Sequence, residues 1–417
     1  MRKSLYSAAQ GFRIRFTPLE NVSRLLPLIF PLAALSVTDS ILSYAVPVYA
    51  QKLFVSDFLA GTVISVASLA SLSFDYASHK LLGNRSFAYF IKITFILSVI
   101  FSLLLGLSFV NRYVFILAMV IWGFYYETLA FSSFKFIKKL ERTEYTNAWA
   151  VITILRACLY TLGPLLATYL LAYYETSPIY ICGIFALIAY LIYQQFAKNR
   201  CPESPSQITA LNRPKEFKIW WVLLKRVYPI WLLYFVLSII DAGFWTVGIF
   251  MAQNFASESP LAKLIIPVYM LPAIIFSPLS QTVSARLGKK CTAIICSGLG
   301  SFFLLLIGNG AGLAYILPGI FLYSVLTSIS FPAIAATFED YISRLHDFDS
   351  DLIGLGQASP SLAYIIGPII CGYLAVQLSE QRVFAVLGAL LAAVSITAFL
   401  ITPKKIRMPQ TELSKSC

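Results

Sequence analysis

Apolar segments of about 20 residues follow one another along nearly the whole chain, and this pattern limits the folds that the chain can adopt. The 417 residues are 59% hydrophobic and 12% charged, and the mean hydropathy is +0.77. A soluble protein of this size carries roughly twice that share of charge. Because lipid offers no hydrogen-bond partner to the backbone, each apolar segment is expected to be an α-helix. The sequence therefore predicts an all-α, polytopic membrane protein.

The apolar segments predict twelve membrane spans separated by short polar turns. The spans occupy residues 25–50, 57–79, 86–110, 113–137, 146–173, 177–196, 229–254, 261–285, 290–308, 312–336, 351–377 and 382–402. Prolines inside several spans are compatible with packed membrane helices, because neighbouring helices and side chains satisfy the backbone groups that proline frees.

One long polar segment, residues 197–228, divides the spans into two sets of six. The predicted domains are a cytoplasmic N-tail (1–24), a six-helix bundle (25–196), a cytoplasmic linker (197–228), a second six-helix bundle (229–402) and a C-tail (403–417). Aromatic and basic residues alternate around 215–227, which is typical of a short helix lying at the membrane interface. The same stretch also fits as the beginning of the seventh span.

Positive charge indicates the orientation of the spans. With the N-terminus inside, 27 of the 32 Lys and Arg residues fall at or near the inner ends of the predicted spans, four fall at or near the outer ends, and Arg156 lies deep within a span. Cytoplasmic loops of membrane proteins carry such an excess of positive charge. We therefore predict that both termini are cytoplasmic, in a multi-pass protein of the bacterial cytoplasmic (inner) membrane. The net charge of +13 is explained by topology and lipid contact, so no nucleic-acid partner is expected.

Enzyme chemistry and metal binding find little support in the sequence. The seven cysteines lie in spans or on the inner side, and the two histidines, His79 and His346, are far apart. No metal-ligand spacing, nucleophile–base pair or nucleotide-binding motif is present. We expect no enzymatic activity, no metal and no cofactor, and we expect a monomer.

Two short phrases recur in the two halves at nearly the same offset. Leu-Ser-x-x-Asp ends at Asp39 in the first span and at Asp241 in the seventh, 202 residues later. Gly163-Pro164 in the fifth span returns as Gly367-Pro368 in the eleventh, 204 residues later. Two repeats at matching offsets indicate an internal duplication, which is a common plan among transporters.

Three stretches resemble motifs of the major facilitator superfamily. Residues 71–80 read S-x-x-x-D-Y-x-S-H-K and residues 281–290 read Q-x-x-x-A-R-L-G-K-K. Both resemble the family's G-x-x-x-D-R-x-G-R-R/K loop motif, each keeping a different part of it. Residues 354–368 carry Gly-x8-Ala-x3-Gly-Pro, which resembles the Gly-Pro motif that the family's antiporters usually carry in span 5. In span 4, Met119 stands where the family's motif has Arg.

Four ionisable residues are predicted near the middle of their spans, where charge is expensive and usually functional. They are Asp39, Glu127, Arg156 and Asp241. In the fold that the resemblance implies, spans 1, 4 and 7 line a central cavity and span 5 lies beside it. We therefore predict a substrate and coupling-ion site, in which Glu127 pairs with Arg156 while Asp39 and Asp241 exchange protons. Glu127 and Arg156 could equally form a structural ion pair between spans 4 and 5.

Aromatic residues at similar depth are candidates to stack on a substrate. The aromatic residues at this depth are Tyr44, Tyr125, Tyr126, Tyr160, Phe244 and Trp245, and the preferred cavity-lining candidates among them are Tyr44, Tyr125 and Trp245. Since 15% of the chain is aromatic, the alternative for each is ordinary packing or interface anchoring.

Charged residues near the inner ends of the spans are predicted to form a cytoplasmic gate. In this hypothesis Asp75, Lys80 and Arg85 meet the start of span 11 at Asp351. On the other side, Arg286 meets the start of span 5 at Glu144 or Glu141. Ion pairs that form only when the inner side closes would favour the outward-open state. The alternative for the acidic residues is capping of the span 11 helix.

The sequence as a whole predicts a proton-coupled secondary transporter that works by alternating access. Its predicted partners are a small-molecule substrate, protons and the lipid bilayer. Export of a small amphipathic organic solute is the preferred direction, on the strength of the Gly-Pro motif. Uptake of a sugar, amino acid or organic acid by proton symport is the alternative within transport. A facilitator-like receptor or structural membrane protein that no longer transports is the alternative outside it.

Overall fold

All regular secondary structure in the described part of the chain is helical. The computed structural model describes the backbone of residues 19–81, 87–137, 142–197, 216–310, 312–342, 344 and 349–402, and no strand occurs in these ranges. The predicted all-α fold is confirmed.

The first half of the chain forms six long helices that coincide with the first six predicted spans to within a few residues. They are α1 (Leu19–Phe54), α2 (Asp57–Leu81), α3 (Phe87–Ser108), α4 (Tyr113–Ile137), α5 (Arg142–Tyr173) and α6 (Ser177–Ala197). Among them, α1 packs on α5 and α6, while α4 packs on α2 and α3.

The second half repeats this plan with two broken spans. Its helices are α7 (Glu216–Phe244), α8 (Val247–Phe255), a 3-10 helix (Pro260–Leu264), α9 (Ile265–Phe276), α10 (Leu279–Leu287), α11 (Lys289–Asn309), α12 (Leu313–Ile342), α13 (Asp349–Gln377) and α14 (Glu380–Ile401). The seventh predicted span contains α7 and α8, and the eighth contains the 3-10 helix, α9 and α10. In the described ranges, eleven helices are long and apolar enough to cross a membrane, and the eighth span supplies a twelfth as a pair bent by 64°.

The stretch 216–227 belongs to α7 and is not a separate interfacial helix. Helix α7 runs without a break from Glu216 into the span. Ile219, Leu223 and Val227 are fully buried at four-residue spacing, so one face of this stretch packs into the bundle. Helix α7 therefore begins at Glu216, inside the predicted linker, and the domain bounds stay predictions.

Much of the outer surface of the bundle is apolar, as a lipid-facing surface must be. Leu103 on α3 is 62% exposed, and Phe399 and Leu400 on α14 are 62% and 75% exposed. A soluble protein rarely exposes so many large apolar side chains. Such side chains are compatible with contact to the lipid of a membrane.

The two ends of the bundle differ in their connections. At one end, called here the tight-loop end, two to four residues join successive helices at 55–56, 109–112, 174–176 and 378–379. The opposite end, the terminal end, is where α1 begins and α14 ends. That the terminal end faces the cytoplasm stays a prediction from charge.

The two halves are closed against each other at the tight-loop end. Helix α2 lies so close to α13 that a β-carbon on Gly61 would collide with the Pro368 carbonyl, 2.9 Å from its carbon. A β-carbon on Gly372 would in turn lie 3.1 Å from the carbonyl carbon of Asp57. Small residues at helix contacts allow this approach in membranes, where packing drives association. Towards the terminal end a cavity lies between the halves.

Candidate functional site

The cavity between the halves has a volume of about 410 Å³, a size that fits a small organic molecule. Its walls come from α1, α2, α4, α5, α7 and α13, together with the break between α7 and α8. Five of the eighteen described lining residues are aromatic: Trp122, Tyr126, Tyr160, Trp245 and Tyr364. Among the described lining residues, Glu127 is the one with a charge, and serine and threonine hydroxyls supply the other polar groups.

Asp39 lies one layer behind the cavity wall in the first half. Its side chain is buried and accepts two hydrogen bonds, from Trp122 Nε1 on α4 at 3.1 Å and from the Tyr160 hydroxyl on α5. Both donors line the cavity, whereas Asp39 does not. The aromatic donors therefore stand between the carboxylate and the cavity.

Asp241 has a similar arrangement in the second half. One carboxylate oxygen accepts a hydrogen bond from the Tyr269 hydroxyl on α9, and the other accepts one from the Tyr364 hydroxyl on α13. Tyr364 lines the cavity, whereas Asp241 is not among its lining residues. Each predicted proton-exchanging aspartate is thus held by two aromatic donors from neighbouring helices.

The sequence repeat explains why the two arrangements match. Tyr160 and Tyr364 are 204 residues apart, so both halves carry Tyr-x-x-Gly-Pro. In the first half, Ser40 is the residue after Asp39, and a β-carbon on Gly163 would lie 2.5 Å from the Ser40 β-carbon. In the second half, a β-carbon on Gly367 would lie 3.1 Å from the β-carbon of the residue after Asp241. Each glycine allows its helix to approach the aspartate helix, and the tyrosine three residues earlier then reaches the carboxylate.

Two of the four donors are held in place by ring stacking. Phe101 on α3 stacks on Trp122 with centroids 5.3 Å apart and an interplanar angle of 10°. Phe244, three residues after Asp241, stacks on Tyr269 at 4.1 Å and 12°. These rings fix the orientation of the donors and contribute about 0.5–1.5 kcal/mol each beyond their burial.

Glu127 and Arg156 do not form the predicted pair in this conformation. Among the ion pairs of the described side chains, none joins them. Ser71 Oγ on α2 donates to Glu127 Oε1 at 2.5 Å, and Glu127 lies on the cavity wall. Arg156 lies close enough to Asp39 to act on its charge. The reason is position: Glu127 points to α2 and the cavity, whereas Arg156 sits one helical turn from Tyr160 on the Asp39 side.

Of the three predicted lining aromatics, the structure places Trp245 on the cavity wall, at the break between α7 and α8. The buried Tyr125 donates to the Leu35 carbonyl at 3.1 Å, so it joins α4 to α1. The Tyr44 hydroxyl accepts a hydrogen bond from Gln253 Nε2 at 3.3 Å and thereby joins the halves at the tight-loop end. Both are packing residues here, which is the alternative considered for them.

The predicted gate falls largely outside the described residues. The side chains of Asp75, Lys80, Glu144 and Asp351, and all of Arg85, lie outside them. Arg286 is described, and it is exposed at the terminal end of α10. The gate therefore stays a prediction.

Trp122, Tyr160, Tyr269 and Tyr364 are the site residues that the charges alone did not identify. The repeat Tyr-x-x-Gly-Pro could have pointed to Tyr160 and Tyr364, because the tyrosine recurs at the offset of the Gly-Pro pair. Trp122 and Tyr269 have no counterpart in the other half and no local signal. In the described part of the chain, no group of three His, Cys, Asp or Glu side chains comes together to hold a metal.

Comparison with known proteins gives one family match and several similar folds. Residues 230–415 match the model of the Major Facilitator Superfamily. The fold is similar to that of the nucleoside transporter NupG, with a TM-score of 0.74 and 14% identity over 92% of this chain and 99% of that one. It is also similar to a POT family transporter in complex with a thioalcohol-conjugated peptide (TM-score 0.68, 13% identity, 91% and 96% covered). The human organic anion transporter MFSD10 (TETRAN) gives a TM-score of 0.62 at 16% identity, with 90% and 99% covered. No curated protein matches the sequence.

Proposed function

Because residues 230–415 match the model of the Major Facilitator Superfamily and the fold is similar to that of a nucleoside transporter, we propose that this chain is a transporter of that superfamily that carries a small amphipathic organic solute across the membrane by alternating access, coupled to protons. The observation that carries the proposal is the cavity between the halves, together with the two aspartates, Asp39 and Asp241, that tyrosines of its wall hold by hydrogen bonds. An ionisable residue within a membrane helix is energetically costly, so an aspartate at the matching position of each half is best explained by a functional role.

The wall chemistry supports a solute with an aromatic or apolar body and a positive charge. Five aromatic rings surround the cavity, and a cation held over such rings gains about 0.5–2 kcal/mol. Glu127 supplies a carboxylate on the same wall. An anion would meet this carboxylate unfavourably and would lose the attraction of the ring faces.

Protons are the coupling ion in this proposal. Asp39 and Asp241 take up protons when the cavity is exposed to one side of the membrane and release them on the other. Burial disfavours the ionised carboxylate, so proton binding and the exposure of the cavity are linked. Because one chain forms the whole cavity, the working unit that we propose is a monomer.

Export in exchange for protons is the direction that we propose, and it rests on the likeness to the antiporter Gly-Pro motif in residues 354–368. The terminal end then faces the cytoplasm of a bacterial cell, as the charge distribution predicts. Uptake of a polar metabolite by symport is the second candidate, and the fold likeness to a nucleoside and a peptide transporter favours it. A protein that does not transport is the third.

Transport into proteoliposomes under an imposed pH gradient tests these candidates. The labelled solutes are an aromatic cation, a nucleoside, a dipeptide and a hexose. We expect the aromatic cation to accumulate in the acidic compartment, against its own gradient, in exchange for protons that leave this compartment. If a polar solute instead accumulated in the alkaline compartment, moving together with protons, symport would be established. If no solute moves, the chain acts as a receptor or structural protein.

The aspartate variants test the coupling itself. D39N and D241N should each abolish pH-driven transport while solute counterflow, which needs no net proton movement, persists. E175Q is the matched control, because Glu175 is an exposed loop acid paired with Lys52 at 3.0 Å, away from the cavity. Full pH-driven accumulation by D39N would remove Asp39 from the coupling role.

A further inference from the structure

We propose that Tyr160 and Tyr364 are the positioning residues of two separate proton sites, one in each half. Each tyrosine holds its aspartate through a hydrogen bond, sets the pH at which that aspartate titrates, and connects the proton site to the solute cavity. The relevance to transport rests on the proposed function, whereas the titration itself does not.

The first step is that each tyrosine contacts both a proton site and the cavity. Tyr160 donates to Asp39 and Tyr364 donates to Asp241, and both tyrosines line the cavity wall. The two aspartates themselves do not line it. A solute in the cavity therefore meets the tyrosines before it meets either carboxylate.

The second step is that a crevice on another side of Asp39 is closed in this conformation. On the side away from the cavity it borders a crevice between α1, α3 and α4, which is lined by Thr38, Ser98 and Phe101 among others. That crevice has no room for a water-sized molecule. A proton that reaches Asp39 from the cavity passes the layer that contains Tyr160.

The third step concerns the groups around each carboxylate. The titratable or charged groups that face Asp39 come from α4, α5 and α6: Tyr125, Tyr126, Arg156, Tyr160 and Cys182. Those described around Asp241 come from α7, α9, α12 and α13: Tyr234, Tyr269, Tyr323 and Tyr364. The two sets share no residue, and they meet at one point, where Tyr126 of the first set lies close enough to Tyr364 of the second to act on it electrostatically. Because neither aspartate contacts the other set, a change at one tyrosine should leave the other carboxylate's titration in place.

The fourth step is the sign and size of the effect. A hydroxyl that donates to a carboxylate stabilises the ionised form. Hydrogen bonds to charged groups contribute enough that losing one should move a titration by about one to two pH units. Tyr→Phe removes the hydroxyl but keeps the ring, so the midpoint should move to higher pH.

Infrared titration of the purified protein measures this without any substrate. The C=O stretching band of the protonated carboxyl is followed against pH, and the difference between wild type and D39N or D241N assigns each aspartate. In Y160F the Asp39 midpoint should rise by about one to two pH units while that of Asp241 stays. In Y364F the Asp241 midpoint should rise by a similar amount while that of Asp39 stays.

Tyr323→Phe is the matched control, because the Tyr323 hydroxyl is buried near Asp241 and bonds to no described residue. It should move neither midpoint. To cover a failure of Y160F to fold, 3-fluorotyrosine can be inserted at Tyr160 and at Tyr364 by codon suppression. Fluorine makes the hydroxyl a stronger donor with little change in shape, so the midpoints should then fall.

Each outcome decides one question. Unchanged midpoints in Y160F and Y364F, or equal shifts of both aspartates in either variant, would overturn the assignment of the tyrosines. If the midpoints move as expected but wild-type vesicles show no proton-driven transport, the tyrosine assignment stands and the proposed function fails. If wild-type vesicles couple to protons but the midpoints stay, the proposed function stands and this inference fails.

Discussion

Tyr160 and Trp245 meet edge to face across the two halves of the protein, with ring centroids 5.7 Å apart and an interplanar angle of 89°. Tyr160 also donates to Asp39, and Trp245 lies at the break between α7 and α8. One ring contact therefore joins the Asp39 site of the first half to the helix break in the second. A solute that wedges between these rings would disturb both.

The first prediction concerns Trp245 as a wall of the binding cavity. W245A should weaken binding of the aromatic cation about tenfold, because a cation–π contact of about 1–2 kcal/mol is lost. W245F keeps a ring and should weaken it less. Equilibrium binding of the labelled cation to purified protein measures this. Trp221 is exposed on α7 outside the cavity, so W221F should bind as wild type. Equal affinity in W245A and wild type would remove Trp245 from the site.

The second prediction separates the charge of the solute from its shape. E127Q keeps the size of the side chain and can still accept from Ser71, but it removes the negative charge from the cavity wall. Binding of the aromatic cation should fall by about tenfold or more, since charge-assisted contacts contribute about 1.5–3 kcal/mol. Binding of a neutral analogue of the same shape should change little. An equal loss for both ligands would mean that Glu127 acts through the structure of α4 and α2.

The third prediction tests the glycine that brings Tyr160 to Asp39. In G163A the new methyl would lie 2.8 Å from the Ser40 carbonyl carbon, so α5 must move away from α1. We expect a loss of about 1–3 kcal/mol of stability from overpacking and a rise in the Asp39 titration midpoint. G298A is the control, since its methyl would meet Ser395 Cβ at an ordinary 3.6 Å. Thermal unfolding in detergent and infrared titration provide the two readouts. A destabilised G163A with an unchanged Asp39 midpoint would separate packing from positioning.

Much of the fold could be predicted because lipid imposes one solution on each apolar segment. The edges of α4 match the predicted 113–137, and those of most other spans differ by a few residues. The exception is α7, which begins at Glu216, well before the predicted span. Ile219 and Leu223 are buried on one face of its first turns, but the charged residues between and around them lower the hydropathy of this stretch. Burial of one face depends on tertiary packing, which hydropathy does not report.

The site could be predicted in its charges but less well in its contacts. Asp39 and Asp241 stand out because a carboxylate in an apolar span is costly and the repeat marks both. Trp122 and Tyr269 are ordinary aromatic residues in an aromatic-rich chain, and only the helix packing shows which carboxylate they reach. The expected Glu127–Arg156 pair illustrates the same limit. Similar depth in adjacent spans does not decide which face of each helix a side chain occupies.

The fourth prediction concerns the contact that closes the tight-loop end. Gly61 on α2 meets the Pro368 carbonyl, and Gly372 on α13 meets the Asp57 carbonyl, so neither position has room for a methyl group. These neighbours are backbone atoms, which cannot rotate aside as a side chain can. G61A and G372A should therefore destabilise the conformation in which this end is closed.

The cost of such overpacking, about 1–3 kcal/mol, corresponds to a population shift of roughly 5- to 150-fold towards conformations in which this end is open. Spin labels at Val55 and Leu378, which are exposed on opposite halves at this end, report the opening as a longer distance. G298A, which lies within the second half away from this contact, should leave the distance distribution unchanged. A distribution in G61A identical to that of the wild type would mean that the α2–α13 contact does not control closure.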